Sequence, residues 1–406
     1  MANQPPLPLQ GIRVLDFTHD WAAPHACAVL GDLGAEVIKV EYVRRLDTMR
    51  GGIKDPQAYD RQPAFLTINR NKLGITLDLK NPQDHASFKD LVKVSDLLVS
   101  NARPGVMEKL GLGYEELRTL KPDLIFLAMT AFGHTGPQAQ YAGYGAGIEA
   151  ISGVLGLTGY GPGERPMRLK EMDVTNGIVG AGAAMLGLLH RQLTGEGQFI
   201  DLSQVEAASS SLIGEFLLGY AVNGAQPPMS GNRHDRYAPQ GCYRARGHDQ
   251  WLTLVVRSDK EWNLLCTAIG RPELAADPRF ATESDRRRRH DELDQILEAW
   301  TAQQDAEAAM HQLQQAGVCA GAVLDTASLV NNRHLRERSY FQDAADGSGR
   351  FHGMPFRFSE GDGSVRKCAP CLGEDNIAIL CGLLGRDPQS IRPIQPSDVG
   401  TSYDSE

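Results

Sequence analysis

Asp173 is the residue of this chain whose surroundings best fit covalent chemistry. It lies in the segment Met167–Gly177, MRLKEMDVTNG, just before a predicted helix over Thr175–Leu193. Unpaired N–H groups at a helix start stabilise an anion, and they stabilise charge that develops on a neighbouring oxyanion. A carboxylate placed there can act as a nucleophile toward an acyl group. From this feature alone, the commoner role of an ordinary N-cap is favoured.

Three glycines in the predicted helix indicate close packing. Gly177, Gly180 and Gly182 are poor helix formers. Their presence is explained if a bulky group or another backbone packs against the helix at these positions.

A second motif resembles a dinucleotide-binding fingerprint. Gly145, Gly147 and Ala150 match G-x-G-x-x-A, and Asp173 follows at a suitable distance. Such a fingerprint opens directly from a strand, whereas here a long loop follows the predicted strand Leu124–Met129. We therefore expect no nicotinamide or flavin at this position.

The remaining motifs provide little support for metal or hydrolase chemistry. Cys368 and Cys371 form a lone C-x-x-C, with no second pair for zinc and no βαβ start for a redox dithiol. The basic run Arg286–Arg289 is typical of a solvated helix face. The sequence contains no H-E-x-x-H, G-x-S-x-G or P-loop motif. We expect no bound metal.

Composition excludes some partners. The net charge of −9 argues against nucleic-acid binding, which needs a basic surface. The longest apolar run, Gly177–Leu189, is shorter than the roughly 20 residues that span a membrane, so it predicts a buried helix and no membrane partner. No signal peptide is evident, and most of the seven cysteines stand singly. These features favour the reducing cytoplasm.

Strands and helices alternate in the first half of the chain. Ile12–Phe17, His25–Gly34 and Glu36–Val40 predict a strand, a helix and a strand, and hence a βαβ unit. The alternation continues to the strand at Leu124–Met129, which favours an α/β, Rossmann-like parallel sheet covered by helices. The turn-rich segment Pro227–Pro239 predicts the entry into a second domain.

The run Arg191–Asp201, RQLTGEGQFID, resembles the signature R-x-x-T-G-x-G-Q-x-V-D of the class III CoA-transferases, the family of formyl-CoA transferase and carnitine CoA-transferase. Similar matches follow in order over nearly the whole chain. They include Leu9–Thr18, Leu33–Glu41, Asn71–Lys80, Asn101–Gly105, Gly231–His234, Asp277–Phe280 and Gly317–Gly321.

The resemblance implies a domain organisation. Residues 1–222 and 336–406 would form a large Rossmann-like domain, and residues 223–335 a smaller inserted α+β domain. Two chains would interlock like rings, as a homodimer or as a heteromer with a paralogous subunit.

The resemblance also implies that Asp173 is the catalytic residue. Asp173 would pass through a mixed anhydride and an aspartyl-CoA thioester. The coenzyme A thioester is then a substrate, and no prosthetic group is needed. We expect a donor acyl-CoA such as succinyl-CoA.

Binding residues carry over from the family with mixed success. The positions that match CoA contacts are His19, Leu77, Lys80, Asn101, Arg103 and Lys109. Formyl-CoA transferase has polar residues where Trp21, Thr130 and Phe132 stand. Trp21, Phe132 and Tyr144 instead predict an apolar pocket for an acid larger than oxalate, although each can equally be core.

Two other functions remain open at this point. An α-methylacyl-CoA racemase of the same fold needs two opposed bases, and the family member compared has a histidine where Tyr144 stands. A tyrosine with a pKa near 10 is a poor base at neutral pH. A non-catalytic partner subunit of a heteromer is the second alternative, and the presence of Asp173 argues against it.

Overall fold

The computed structural model describes residues 6–51, 56–361 and 363–400. Its residues form two compact units. The first unit takes the described residues within Met1–Leu155, Arg168–Ala225 and Arg336–Glu406, and the second takes those within Gly156–Met167 and Gln226–Leu335.

A six-stranded parallel sheet forms the centre of the first unit, in the order β3-β2-β1-β4-β5-β6. Its strands are β1 Arg13–Phe17, β2 Glu36–Glu41, β3 Lys72–Thr76, β4 Leu97–Ser100, β5 Ile125–Thr130 and β6 Gln198–Ser203. The central strands are buried on both faces, as expected for a parallel sheet between helix layers. The strand order reverses between β1 and β4, which is the position where ligands bind in such sheets.

Nine α-helices in the described residues before 225 connect and cover the strands. They are α1 Ala22–Asp32, α2 Pro56–Tyr59, α3 Pro63–Asn69, α4 Pro82–Lys93, α5 Val106–Lys109, α6 Tyr114–Leu120, α7 Gly145–Ile151, α8 Met172–Thr194 and α9 Gln204–Asn223. The predicted α/β class with a parallel sheet is confirmed.

Helix α8 packs tightly on α1 and the sheet through two of its glycines. A Cβ on Gly177 would lie 2.5 Å from Cδ2 of His25, and a Cβ on Gly180 would lie 2.6 Å from Sδ of Met129. The expectation of close packing is confirmed at these two positions. At Gly182 a Cβ would meet no described atom of this chain within 4 Å, so there the expectation stays a prediction.

By length and composition, α8 could cross a membrane, although no span was expected from the sequence. Ala181, Ala184 and Leu188 nevertheless belong to the core between α1 and the sheet. One face of α8 is therefore buried in the core of the first unit.

The second unit combines a small antiparallel sheet with helices. The strands pair in the order β7-β8-β9, and Trp262 and Phe280 are buried in the core beneath them. The elements are β7 Gln240–Arg244, β8 Trp251–Val255, α10 Asp259–Ala268, α11 Glu273–Ala276, α12 Glu283–Arg288, α13 His290–Thr301, α14 Ala306–Gln315, β9 Cys319–Ala322 and α15 Thr326–Asn331.

The C-terminal part supports the edge of the large sheet. It contains α16 Arg333–Glu337, the hairpin strands β10 Phe341–Asp343 and β11 Arg350–His352, and a π-helix over Ile377–Leu383. Asp375 Oδ2 accepts from the Gly74 N–H at 2.7 Å, and Asn376 Oδ1 accepts from the Thr76 N–H at 2.8 Å. These two bonds satisfy donors of edge strand β3 that no neighbouring strand could take.

Candidate active site

Most of the predicted binding residues follow strands of the large sheet. His19 follows β1, Leu77 and Lys80 follow β3, and Asn101 and Arg103 follow β4. Because all six strands are parallel, the loops that follow them all lie at the carboxyl ends of the strands, here called the carboxyl edge of the sheet. Leu77 is buried, whereas Lys80 and Arg103 are exposed. Lys109 is the last residue of α5, which follows β4 in the chain, and it is also exposed.

The loops after β1 and β4 are joined where the strand order reverses. The Asn101 side chain accepts a hydrogen bond from the His19 N–H at 3.0 Å and donates one to the His19 carbonyl at 2.7 Å. The His19 ring thereby extends from a fixed backbone, with 35% of its side chain exposed.

A buried ion pair supports the loop after β1 from below. Lys39 donates to the carboxylate of Asp47 at 3.1 Å and to the carbonyl of Thr18 at 2.8 Å. Asp47 also accepts from the N–H of Asp20 at 3.2 Å. Burial alone would lower the pKa of Lys39, but the nearby Asp47 and Asp16 carboxylates outweigh it and raise that pKa. The ammonium therefore stays charged and holds the loop.

Asp173 is the second residue of α8, which begins at Met172. The predicted helix begins at Thr175, so Asp173 lies in the first turn of the helix and not before it. The N-cap is Glu171, which makes no side-chain capping bond. Since α8 connects β5 to β6, its N-terminus lies toward the carboxyl edge of the sheet. The Asp173 carboxylate has no hydrogen bond or ion pair with any residue that the structure describes. It is thus a half-buried carboxylate with free oxygens.

Charged neighbours act on Asp173 in opposite directions. Burial raises the pKa of its carboxyl, and the carboxylates of Glu149 and Asp20 raise it further, whereas the Arg168 guanidinium lowers it. The net result is a pKa above the ordinary aspartate value. Arg168 therefore offsets part of the cost of keeping an ionised carboxylate in this place.

Sequence reasoning missed the ion pair beside Asp173. Arg168 donates from Nε to Glu149 Oε2 at 2.8 Å, and Glu149 is only 1% exposed. Gly145 and Glu149 stand four apart in α7 and share a helix face. Two features of the sequence could have indicated this pair. Arg168 lies five residues before Asp173, and Glu149 lies four residues after Gly145.

Among the described residues, no ring contact joins the three aromatic residues predicted to line the pocket, which are Trp21, Phe132 and Tyr144. Phe132 packs edge-to-face on Tyr141, with centroids 6.0 Å apart. Tyr144 is 63% exposed and directly precedes Gly145. Trp21 is the residue before α1 and is partly buried. An apolar acyl pocket built from these side chains stays a prediction.

A cavity of about 310 Å³ lies beside Leu77 at the end of β3. Its walls come from the loop after β2, from the segment after β3 and from the C-terminal part. Three arginines line it, namely Arg44, Arg386 and Arg392. The C-terminal arginines could not be placed here from sequence spacing, because the contact spans some 300 residues of chain.

Two rejected motifs can now be placed. The glycines of the dinucleotide-like fingerprint belong to α7, which does not follow directly from β5. Cys368 and Cys371 are both free thiols. Within the described ranges, no group of three or more His, Cys, Asp or Glu could hold a metal ion.

Comparisons with known proteins agree with the motifs. The family model described as CoA-transferase family III matches residues 9–376. Succinyl-CoA–D-citramalate CoA-transferase of Chloroflexus aurantiacus is 32% identical over 403 residues, covering 98% of this chain and 99% of the relative. Acetyl-CoA:oxalate CoA-transferase of Acetobacter aceti is 34% identical over 379 residues, covering 93% and 96%.

Solved structures show the same relationship. A CAIB/BAIF family protein from Brucella suis superposes with a TM-score of 0.85 at 31% identity, covering 94% of this chain and 100% of that one. The resemblance seen in the sequence motifs is thus confirmed. The chain belongs to CoA-transferase family III and is a class III CoA-transferase.

Proposed function

We propose that this enzyme transfers CoA from an acyl-CoA to a dicarboxylic acid larger than oxalate, with Asp173 as the nucleophile and succinyl-CoA as the first donor to test. The two relatives described above are named for citramalate and oxalate, both dicarboxylic acids, and one is named for succinyl-CoA. Trp21 and Phe132, which replace polar residues of formyl-CoA transferase, favour the larger acid.

The observation that carries the proposal is the free carboxylate of Asp173 at the start of α8. A nucleophile must present unbonded lone pairs to the thioester carbonyl, and Asp173 has no hydrogen-bond partner among the described residues. The helix N-terminus supplies N–H dipoles toward negative charge that develops there. Arg168 helps to keep the carboxylate ionised.

The reaction then runs in four exchanges at Asp173. An Asp173 oxygen attacks the thioester carbonyl, and the C–S bond breaks. CoA departs as the thiolate, and the acyl group remains on Asp173 as a mixed anhydride. The thiolate attacks Cγ of Asp173, the donor acid departs, and an aspartyl-CoA thioester forms. The acceptor carboxylate attacks the same carbon and expels the thiolate. The thiolate finally attacks the acceptor's carbonyl, which releases the new acyl-CoA and the free aspartate.

CoA is proposed to lie along the carboxyl edge of the sheet. The positions that match family CoA contacts, His19, Leu77, Lys80, Asn101, Arg103 and Lys109, follow β1, β3 and β4 at or near this edge. The cavity beside Leu77 presents guanidinium groups, which bind phosphate oxygens bidentately, although Asp78, Asp84 and Asp398 also line it. The CoA thioester is a substrate here, so the proposed chemistry needs no prosthetic group.

A second chain is proposed to cover the outer faces of α8 and α9. Large apolar side chains there are exposed, among them Leu186 at 69%, Leu193 at 76% and Val222 at 75%. Such a surface is typical of an association interface. We propose an interlocked dimer of identical chains, with a paralogous partner as the alternative, in the cytoplasm. Sedimentation that shows a stable, active monomer would contradict it.

Trapping the covalent intermediate tests the mechanism. Purified enzyme is incubated with succinyl-CoA and no acceptor, and hydroxylamine is added. Asp173 should become a hydroxamate, detected by mass on the peptide that contains Glu171–Gly177. Borohydride should reduce the thioester at the same residue.

Two variants control the trapping experiment. Asp173→Ala should lose labelling and transfer while keeping its fold and its CoA affinity. Glu171→Gln, a change at the exposed N-cap two residues earlier, should still be labelled at Asp173. If no acyl-CoA labels Asp173, while a branched acyl-CoA exchanges its α-proton with deuterated water, the enzyme is a racemase and the transfer proposal is wrong.

A further inference from the structure

Arg168 presents a guanidinium whose orientation is fixed from one side. Nε donates to Glu149 Oε2 at 2.8 Å, and Nη2 approaches Glu149 Oε1 at 3.4 Å. Glu149 is 1% exposed, whereas Arg168 is 39% exposed. The buried carboxylate therefore anchors one edge of the guanidinium and leaves the other edge accessible.

Arg168 retains hydrogen-bond donors for a ligand. A guanidinium carries five N–H donors, and Glu149 engages only Nε and Nη2. Nη1 has no hydrogen-bond partner within the described ranges. A planar guanidinium with a free edge binds a carboxylate through two parallel hydrogen bonds, which a lysine cannot do.

The Arg168 guanidinium, through Nη2, borders the same small space as the Asp173 carboxylate. A Cβ on Gly145 would lie 3.1 Å from Nη2 of Arg168 and 3.4 Å from Oδ2 of Asp173. Arg168 and Asp173 nevertheless form no ion pair in the described structure. The glycine thus leaves open a space that is bordered by the Asp173 carboxylate and by a guanidinium that keeps unbonded donors beside its ion pair with Glu149.

We propose that Arg168 binds the unreacted carboxylate of the dicarboxylic acid, while the other carboxylate reacts at Asp173. This inference rests on the proposed function. Without Arg168, Glu149 and Asp20 would repel a second anion near Asp173. Acylation removes the charge of Asp173, so one carboxylate fewer repels the incoming anion near the Arg168 guanidinium. Arg168 is then the residue that selects dicarboxylic over monocarboxylic acids.

Paired acids test this selection. With acetyl-CoA as donor, succinate is compared with its monomethyl ester, and glutarate with its monomethyl ester, as acceptors for the wild type and for Arg168→Gln. We expect the wild type to prefer the diacid by tenfold or more in kcat/KM, and Arg168→Gln to lose that preference through a raised KM for the diacid. Arg168→Lys should recover only part of it. Lys170→Gln, which removes an exposed cation two residues away, should keep the full preference.

Labelling with an uncharged donor separates this inference from the mechanism. At a pH well above the acid limb of acylation, where Asp173 is ionised in both proteins, acetyl-CoA, whose acyl group has no free carboxylate, should label Asp173 equally in the wild type and in Arg168→Gln. Equal loss of activity with diacid and ester, or loss of acetyl labelling in Arg168→Gln, would assign Arg168 to Asp173 itself and overturn the inference. A wild type without preference for the diacid would also overturn it. Failure of every donor to label wild-type Asp173 would instead refute the proposed function.

Discussion

Gly145 lies against Asp173 so closely that a Cβ on the glycine would sit 3.4 Å from the Asp173 Oδ2. The glycine opens helix α7, and its φ angle does not lie in the left-handed region that would demand glycine. Space rather than backbone freedom therefore explains the residue. The same Cβ would sit 3.1 Å from the Arg168 guanidinium.

Gly145→Ala should lower transfer activity at least tenfold. The new methyl group would occupy the space between the guanidinium and the carboxylate, where a substrate group must approach within about 3 Å. Stability should not fall, because alanine is a better helix former than glycine by about 1 kcal/mol. The measurement is kcat/KM beside a thermal unfolding curve.

Gly147→Ala is the matched control for that change. Gly147 lies in the same helix, and a Cβ there would meet no atom within 4 Å. Its activity should stay within about twofold of the wild type. Equal losses in both variants would show that α7 is sensitive to any substitution, and the spatial argument would fail.

The acid limb of acylation should lie above the ordinary aspartate pKa. In the proposed mechanism only the ionised carboxylate attacks, and burial raises the pKa of Asp173, so activity should be lost as pH falls through that raised pKa. Glu149→Gln removes a charge that raises this pKa, so it should move the limb to lower pH. Arg168→Gln removes a charge that lowers it, so it should move the limb to higher pH.

Single-turnover acylation by acetyl-CoA across a pH series measures these limbs. Glu115→Gln, on the exposed surface of α6, should leave the limb in place. Shifts of the same sign in Glu149→Gln and Arg168→Gln would contradict the electrostatic account of Asp173.

The sheet could be predicted wherever a strand is an apolar run. The expected strands Ile12–Phe17 and Leu124–Met129 agree with β1 and β5 to within a residue. Strand β3 was not predicted, because its sequence KLGIT begins with a charge and contains a glycine. Lys72 is buried nonetheless, since its ammonium donates to Asp16 Oδ2 at 2.7 Å. Such a pairing across 56 residues has no local signal.

The site was predictable only in part for the same reason. Asp173 could be proposed as the nucleophile from its place at a helix start and from the family motif. Its partner pair could not, because Glu149 lies on another helix and Arg168 in a loop.

Helix α1 begins at Ala22, three residues before the expected start at His25, since Pro24 is tolerated in a first turn.

Asn101→Ala should weaken acyl-CoA binding. It removes both hydrogen bonds to the His19 backbone, so the loop after β1 loses its attachment to the loop after β4. We expect KM for acyl-CoA to rise about tenfold, with a smaller change in kcat, and stability to fall by about 1–2 kcal/mol. Asn101→Asp keeps the acceptor but places an anion against the His19 carbonyl, so it should be no better. Unchanged KM in both variants would exclude this role.

Gly177→Ala and Gly182→Ala should change stability in opposite directions, although both lie in α8. At Gly177 a Cβ would lie 2.5 Å from the His25 ring and 3.0 Å from the backbone oxygen of Ala22. The backbone cannot yield cheaply, so we expect a loss of about 1–3 kcal/mol. At Gly182 a Cβ would meet no atom within 4 Å, and better helix propensity should add about 0.5–1 kcal/mol. Urea unfolding of both variants beside the wild type measures the difference.

Because α8 also carries Asp173, a helix displaced by Gly177→Ala should lose hydroxamate labelling, while Gly182→Ala should keep it. Stabilisation by both alanines would show that α1 and α8 can separate freely, and the close packing could not then be what positions the Asp173 carboxylate.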